Sequence, residues 1–172
     1  MRIAIIAVEG SLMSAITGLA DLFWMTNQAL RSPPAGLSSV LKHSGFTEFE
    51  TVIVSADGKA QRDAQGRLIP VDAAFDDADP CDAVLVTGMA LGPDRLPPSS
   101  ASLAPAARWI NAHHQQGVLV GAACAGTFVL GEAGLLNSRR CTTTWWLHHV
   151  FKQHSPRPCR HGVPRWRLKI AS

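Results

Sequence analysis

Cys124 stands in the stretch GVLVGAACAGTFVLGEAGLL, residues 117–136, with Ala122 two positions before it and Gly126 two positions after. A small residue, any residue, a nucleophile, any residue and a small residue is the spacing that a sharp strand-to-helix corner requires. The corner residue is forced into a strained backbone conformation, and only small neighbours avoid a clash. Such a corner lifts its side chain above the sheet edge. The start of the following helix points free N–H groups and its positive dipole end at the sulfur, an arrangement that suits a thiolate. The other reading of the same residues is packing, because a free cysteine between alanines at a strand end is often simply buried. A reactive thiol also needs a proton carrier within hydrogen-bond reach. Glu9, at the end of the first apolar run, is a candidate for that role, though a strand-end glutamate is also an ordinary solvated group. His148 and His149 fall on a segment read as helix, where histidines cap, pack or face water. His113 and His114 precede a helix C-terminus, which suits imidazole, and are read as structural.

These residues need elements to hold them. Residues 2–9, RIAIIAVE, form an apolar run of strand length, and helical spacing follows over 14–30 through Ile16, Leu19, Ala20, Phe23 and Leu30, with Ser11 or Ser14 available as cap. FETVIVS (49–55) is a second strand, and the turn signals Asp57-Gly58 and Gln65-Gly66 make the next stretch a hairpin excursion. AVLVT (83–87) is a third strand ending at Gly88-Met89, 103–116 reads as helix closed by Gly117, and 118–120 leads into Cys124 and a helix over 125–132. This order argues for an α/β protein: a parallel sheet with helices on both faces, a three-layer sandwich. Ligands in such sheets bind beyond the carboxyl ends of the strands, where Glu9, Gly88 and Cys124 all lie.

Composition narrows the class. The 172 residues suit one domain, and 47% hydrophobic with 17% charged residues is a globular balance. The opening MRIAIIAV is cut short by Glu9 and is not a secretory leader, and no run is long enough to span a bilayer, so a cytoplasmic protein without membrane contact is expected. Cys81, Cys124, Cys141 and Cys159 contain no CxxC pair, and His154, Cys159 and His161 fit no common ligand spacing. Neither a metal nor another cofactor is expected. The net charge of +3 is carried by the end of the chain: Arg157, Arg160, Arg165, Arg167 and Lys169 leave the first 154 residues at −2. Direct nucleic-acid binding is therefore not expected.

The block 123–145, ACAGTFVLGEAGLLNSRRCTTTW, resembles the nucleophile-elbow segment of the ThiJ/PfpI superfamily, which has the flavodoxin-like, class I glutamine amidotransferase-like fold. Thr17-Gly18-Leu19-Ala20-Asp21 and CDAVLVTGM (81–89) resemble two further family segments, and the likeness runs over about residues 3–154. It is most similar to isocyanide hydratases and to the N-terminal domains of AraC-type transcriptional regulators. The resemblance implies that Cys124 is the nucleophile position and that the backbone N–H groups of Ala125 and of Gly88 or Met89 are the anion-stabilising donors.

Two departures stand out. The aspartate that isocyanide hydratases carry two residues before the Thr-Gly pair is Ala15 here, and the histidine of the usual Thr-Thr-His-Trp is Thr144, which is left as a pocket-lining position. After residue 154 the family continues with a strand, a turn and a helix covering the sheet; this chain reads RPCRHGVPRWRLKIAS, rich in breakers. The expectation is a ThiJ/PfpI-like domain over 1–154, an irregular basic tail over 155–172 and an atypical or truncated C-terminal part of the fold. The sheet surface so exposed would favour a homodimer. Two functions follow. The first is a sensing domain of AraC-regulator kind, without its DNA-binding part, that takes a small-molecule ligand near Cys124. The alternative is a cysteine-dependent isocyanide hydratase-like hydrolase or lyase.

Overall fold

The computed structural model describes residues 1–34, 36, 45, 47–92, 97–141, 143–154 and 160–161. Its centre is β1 (Arg2–Ile6), whose Ile3 to Ile6 are all buried because the strand is covered on both faces. On either side of it run β2 (Glu50–Ser55) and β6 (Ala83–Val86), and the sheet is completed by β5 (Ala73–Ala74) beyond β2 and β7 (Leu119–Ala122) beyond β6. Every pairing in this five-stranded sheet is parallel, with Ile6 level with Val54 and Val86, and Val86 level with Ala122. The period of two sorts the side chains between faces. Ile3, Ile5 and Ala83 pack with Ile16 of α1 (Met13–Arg31) on one face. On the other, Ala4, Ile6, Val84 and Val86 meet three helices: Leu103 and Ile110 of α2 (Ser100–Gln115), Phe128 and Val129 of α3 (Thr127–Glu132), and Phe151 of α4 (His148–His154). The expected parallel α/β sandwich is the fold.

Local detail differs from the sequence reading where backbone contacts compete with it. Neither Ser11 nor Ser14 caps α1. Its N-cap is Leu12, without a side-chain bond, because Ser11 Oγ accepts the Val8 N–H at 3.1 Å and its backbone bridges to Met89. α2 begins three residues earlier than read from periodicity, at Ser100, where Ser99 Oγ accepts the Ser102 N–H at 3.3 Å. It ends as read, with Gly117 at φ +87°, which glycine adopts without a Cβ clash.

The excursion after β2 is a hairpin of β3 (Gln61–Arg62) and β4 (Leu68–Ile69). Hydrogen bonds from Gly10 N–H to Arg62 O and from Ala64 N–H to Ser11 O dock it on the turn that follows β1. In the basic segment read as irregular, β9 (Arg160–His161) pairs in parallel with β8 (Arg140–Cys141). Residues 155–159 and 162–172, with Cys159 among them, lie outside the described residues. Among the described residues β7 is the sheet edge, and its Leu119, level with Ala83 on the α1 side of the sheet, is 63% exposed. No helix among the described residues is long and apolar enough to cross a membrane.

Candidate functional site

The carboxyl ends of β1, β6 and β7 converge on Cys124. The chain leaves β7 through Ala123, extended at φ −115° with its N–H on Val86 O at 3.0 Å, and then turns sharply. Cys124 takes φ +52°, a left-handed conformation that costs a residue with a Cβ about 1–2 kcal/mol. It opens a single 3-10 turn, Cys124–Gly126, that runs into α3. Gly126 explains the need for a small residue there. A Cβ on it would lie 2.6 Å from Thr87 O and 2.8 Å from Val86 O. The corner is also held from behind: the Cys124 carbonyl accepts the Thr127 hydroxyl at 2.8 Å and the Thr143 hydroxyl at 3.4 Å, and the two hydroxyls lie 3.2 Å apart.

Gly88 faces this corner from the end of β6, close enough that a Cβ on it would lie 3.5 Å from Cys124 Cβ and 4.0 Å from Sγ. The turn after β1 pins it in place, with Leu12 N–H on Gly88 O and Ala90 N–H on Gly10 O, both at 2.9 Å. Met89 turns its side chain into the core, at 4% exposure, so that only its backbone is available to the site. No turn or cap bond among the described residues occupies the N–H groups of Gly88, Met89 or Ala125. Cys124 is half-buried, and none of the described side chains hydrogen-bonds its sulfur.

Residues 32–155 match the model of the DJ-1/PfpI family. The chain belongs to the DJ-1/PfpI family. A relative of comparable length is an uncharacterized protein in the cpoL 5' region of Streptomyces lividans, 30% identical over 146 residues that cover 84% of this chain and 87% of the relative. The HTH-type transcriptional regulator GbdR of Pseudomonas aeruginosa is 28% identical over 139 residues, which are 81% of this chain but 36% of the regulator. Among solved structures, an AraC family transcriptional regulator from Pseudomonas putida superposes with a TM-score of 0.62 at 19% identity, over 91% of this chain and 73% of that one. Regulators of transcription are thus among the relatives of this DJ-1/PfpI domain.

None of the remaining residues singled out in the sequence hydrogen-bonds Cys124 among the described residues. Glu9 is exposed in the turn after β1, with no hydrogen bond or ion pair among the described residues. Thr144 is half-buried with φ −65° and ψ 146°, just before the 3-10 turn Trp145–Leu147, and its hydroxyl is buried without a hydrogen-bond partner among the described residues. Ala15 offers no carboxylate from α1. His148 is half-buried and His149 exposed, its Nε2 3.1 Å from Gln153 Nε2. The sequence reading missed Thr127 and Thr143, whose role depends on a backbone carbonyl that no side-chain pattern announces.

His113 and Cys81 belong elsewhere, at the opposite end of the sheet. His113, in the last turn of α2, is 3% exposed, with Nδ1 2.9 Å from Trp109 O and Nε2 2.6 Å from Asp79 Oδ1. Its ring lies 4.0 Å from that of Trp109, which stacks on Phe75. Cys81 is buried, and burial together with the neighbouring Asp79 carboxylate pushes its thiol up to about 11. It is accordingly a poor nucleophile at neutral pH.

Proposed function

We propose that this DJ-1/PfpI domain is a sensing unit of the AraC-regulator kind that binds a small molecule at the strand ends around Cys124. The observation that carries this reading is the combination at the corner. Among the described residues no turn or cap bond occupies the backbone donors of Gly88, Met89 and Ala125, and no acid or base hydrogen-bonds the sulfur of the half-buried Cys124. Binding an oxygen- or nitrogen-bearing group needs such donors and an accessible wall, but no proton relay. Thr144, with a buried hydroxyl that has no hydrogen-bond partner among the described residues, adds a polar group to that wall where imidazole is the usual occupant. The regulators among the relatives favour the same reading. The unit is cytoplasmic and works as a homodimer, the latter supported by exposed apolar side chains on α1 (Leu22, Trp24, Met25) and on the edge strand (Leu119).

The second reading is a cysteine-dependent hydratase or hydrolase. The left-handed backbone at Cys124 favours it, because strain at a non-glycine residue is stored where a side chain must be aimed. In it the thiol attacks an electrophilic carbon, the amides of Ala125 and Gly88 hold the developing charge, and Glu9 moves the proton.

Alkylation and turnover separate the two. Iodoacetamide labelling, located by mass spectrometry, is expected to mark Cys124 before Cys141 and Cys81, and the protein is expected to leave isocyanides and small aldehydes unchanged. Turnover that disappears in Cys124→Ser establishes the enzyme instead. Labelling of Cys124 no faster than that of Cys141 removes the chemical centre from both.

A further inference from the structure

The cluster at the amino-terminal end of β6 has no part in the site at Cys124. Asp79, Cys81 and His113 bring one carboxylate oxygen, one sulfur and one imidazole nitrogen to within 4.8 Å of one another, and among the described residues no other group of three or more such side chains does so. We infer that these three residues form a binding site for a borderline-soft divalent cation of the zinc class, which pins the end of α2 to the segment entering β6.

The hydrogen bonds of His113 support this. The carbonyl of Trp109 can only accept, so Nδ1 donates to it, and the ring is fixed with Nε2 toward Asp79. A backbone carbonyl behind a histidine is the arrangement that orients a metal-binding imidazole. Nε2 then faces a carboxylate oxygen at 2.6 Å, so an electron-poor centre is required between two lone pairs. A divalent metal ion is such a centre.

The three ligand atoms already lie within 4.8 Å of one another. With bonds of about 2.0 Å to nitrogen or oxygen and about 2.3 Å to sulfur, tetrahedral zinc sets its ligand atoms roughly 3.3–3.6 Å apart. Cys81 Sγ and Asp79 Oδ1 are already 3.8 Å apart. The His113–Asp79 pair must open by roughly 0.7 Å to reach that spacing, and the Asp79 side chain, 53% exposed, is free to make the move.

The donor set also selects the ion. One thiolate, one imidazole and one carboxylate suit zinc or cobalt, whereas magnesium and calcium need several oxygens and are excluded. Three protein ligands leave a fourth position, which opens to water on the Asp79 side.

The test uses the full chain, freed of metal with a chelator and titrated with Zn²⁺ against a chromogenic competitor, then with Co²⁺ to reveal a sulfur-to-cobalt charge-transfer band. One equivalent of each ion is expected to bind. A variant with Cys124, Cys141 and Cys159 all replaced by Ser keeps Cys81 as its sole thiol and is expected to retain both the stoichiometry and the cobalt band. In that background Asp79→Asn and His113→Asn should each weaken Zn²⁺ binding by at least about tenfold, the smallest loss usual for disturbing a metal site. Asp79 is exposed enough for its variant to fold regardless. No binding by the wild type, loss of the cobalt band in the three-serine variant, or unchanged affinity in Asp79→Asn overturns the inference.

Discussion

Gly126 lies so close to Thr87 that a side-chain carbon on it would sit 2.6 Å from the Thr87 carbonyl oxygen. The obstacle is main chain at the end of a central strand, backed by Val86 O at 2.8 Å, and neither can rotate away. Gly126→Ala should therefore destabilise the domain by about 1–3 kcal/mol, the usual cost of overpacking. At about 2–4 °C per kcal/mol for a chain of this size, thermal melts read that directly. Gly121→Ala is the control, since its added carbon meets only Leu85 Cδ2 at 3.1 Å, the end of a half-buried flexible side chain. Equal melting temperatures for the two variants would contradict the account of the corner.

The left-handed backbone at Cys124 makes a second comparison. Elsewhere in a protein, replacement by alanine is the gentler change and replacement by glycine the costlier one. At φ +52° the order reverses, so Cys124→Gly should be more stable than Cys124→Ala by about 1 kcal/mol. Urea unfolding of both proteins measures the difference, and an alanine variant that is the more stable one refutes the strained conformation.

Asn27 ties α1 to the start of β2. Its Nδ2 donates to Phe49 O at 2.7 Å and its Oδ1 accepts the Phe49 N–H at 2.8 Å, in a position only 9% exposed. Removing the amide in Asn27→Ala leaves a backbone donor and acceptor without partners and should cost about 1–3 kcal/mol for each group left buried. Denaturant midpoints give the loss. A change within half a kcal/mol would mean that water replaces the clamp freely.

Asp63 sets an acid limit on stability. Burial drives its carboxyl upward, but the Arg67 guanidinium at 2.6 Å and the N–H groups of Arg67 and Gln65 outweigh that and hold it below the usual aspartate range. A carboxyl lowered by folding stabilises the native state above its unfolded value and loses that contribution as pH falls through its folded value. Asp63→Asn should thus melt well below the wild type at neutral pH and approach it at about pH 3, beneath the ordinary aspartate value. A gap that stays constant between the two conditions rules this out.

Much of the architecture could be read before any coordinates. The apolar runs at Ile3–Ile6, Val52–Val54 and Val84–Val86 identify the central parallel strands, because strands covered on both faces have little room for polar residues, whereas the run at Val118–Val120 leads into the edge strand, where Leu119 is exposed. The elements missed are β5 and the pair β8 and β9, each two residues long and too short to carry a period. At the candidate site, small residues around Cys124 were legible since steric exclusion at Gly126 acts through residue size. The hold of Thr127 and Thr143 on the Cys124 carbonyl was not, for backbone acceptors leave no trace in side-chain type.

The sequence by itself determined the parallel α/β class, the succession of its main elements along the chain, the family and the cysteine at the strand end, because periodicity and residue size act locally along the chain. Tertiary structure alone decided that Asp79 and His113, 34 positions apart, touch at 2.6 Å. It also decided that Gly88 and Cys124 face one another and that the Thr144 hydroxyl has no hydrogen-bond partner among the described residues. Those are distances between separate elements, set by how a twisted sheet and its helices pack, and no local pattern encodes them.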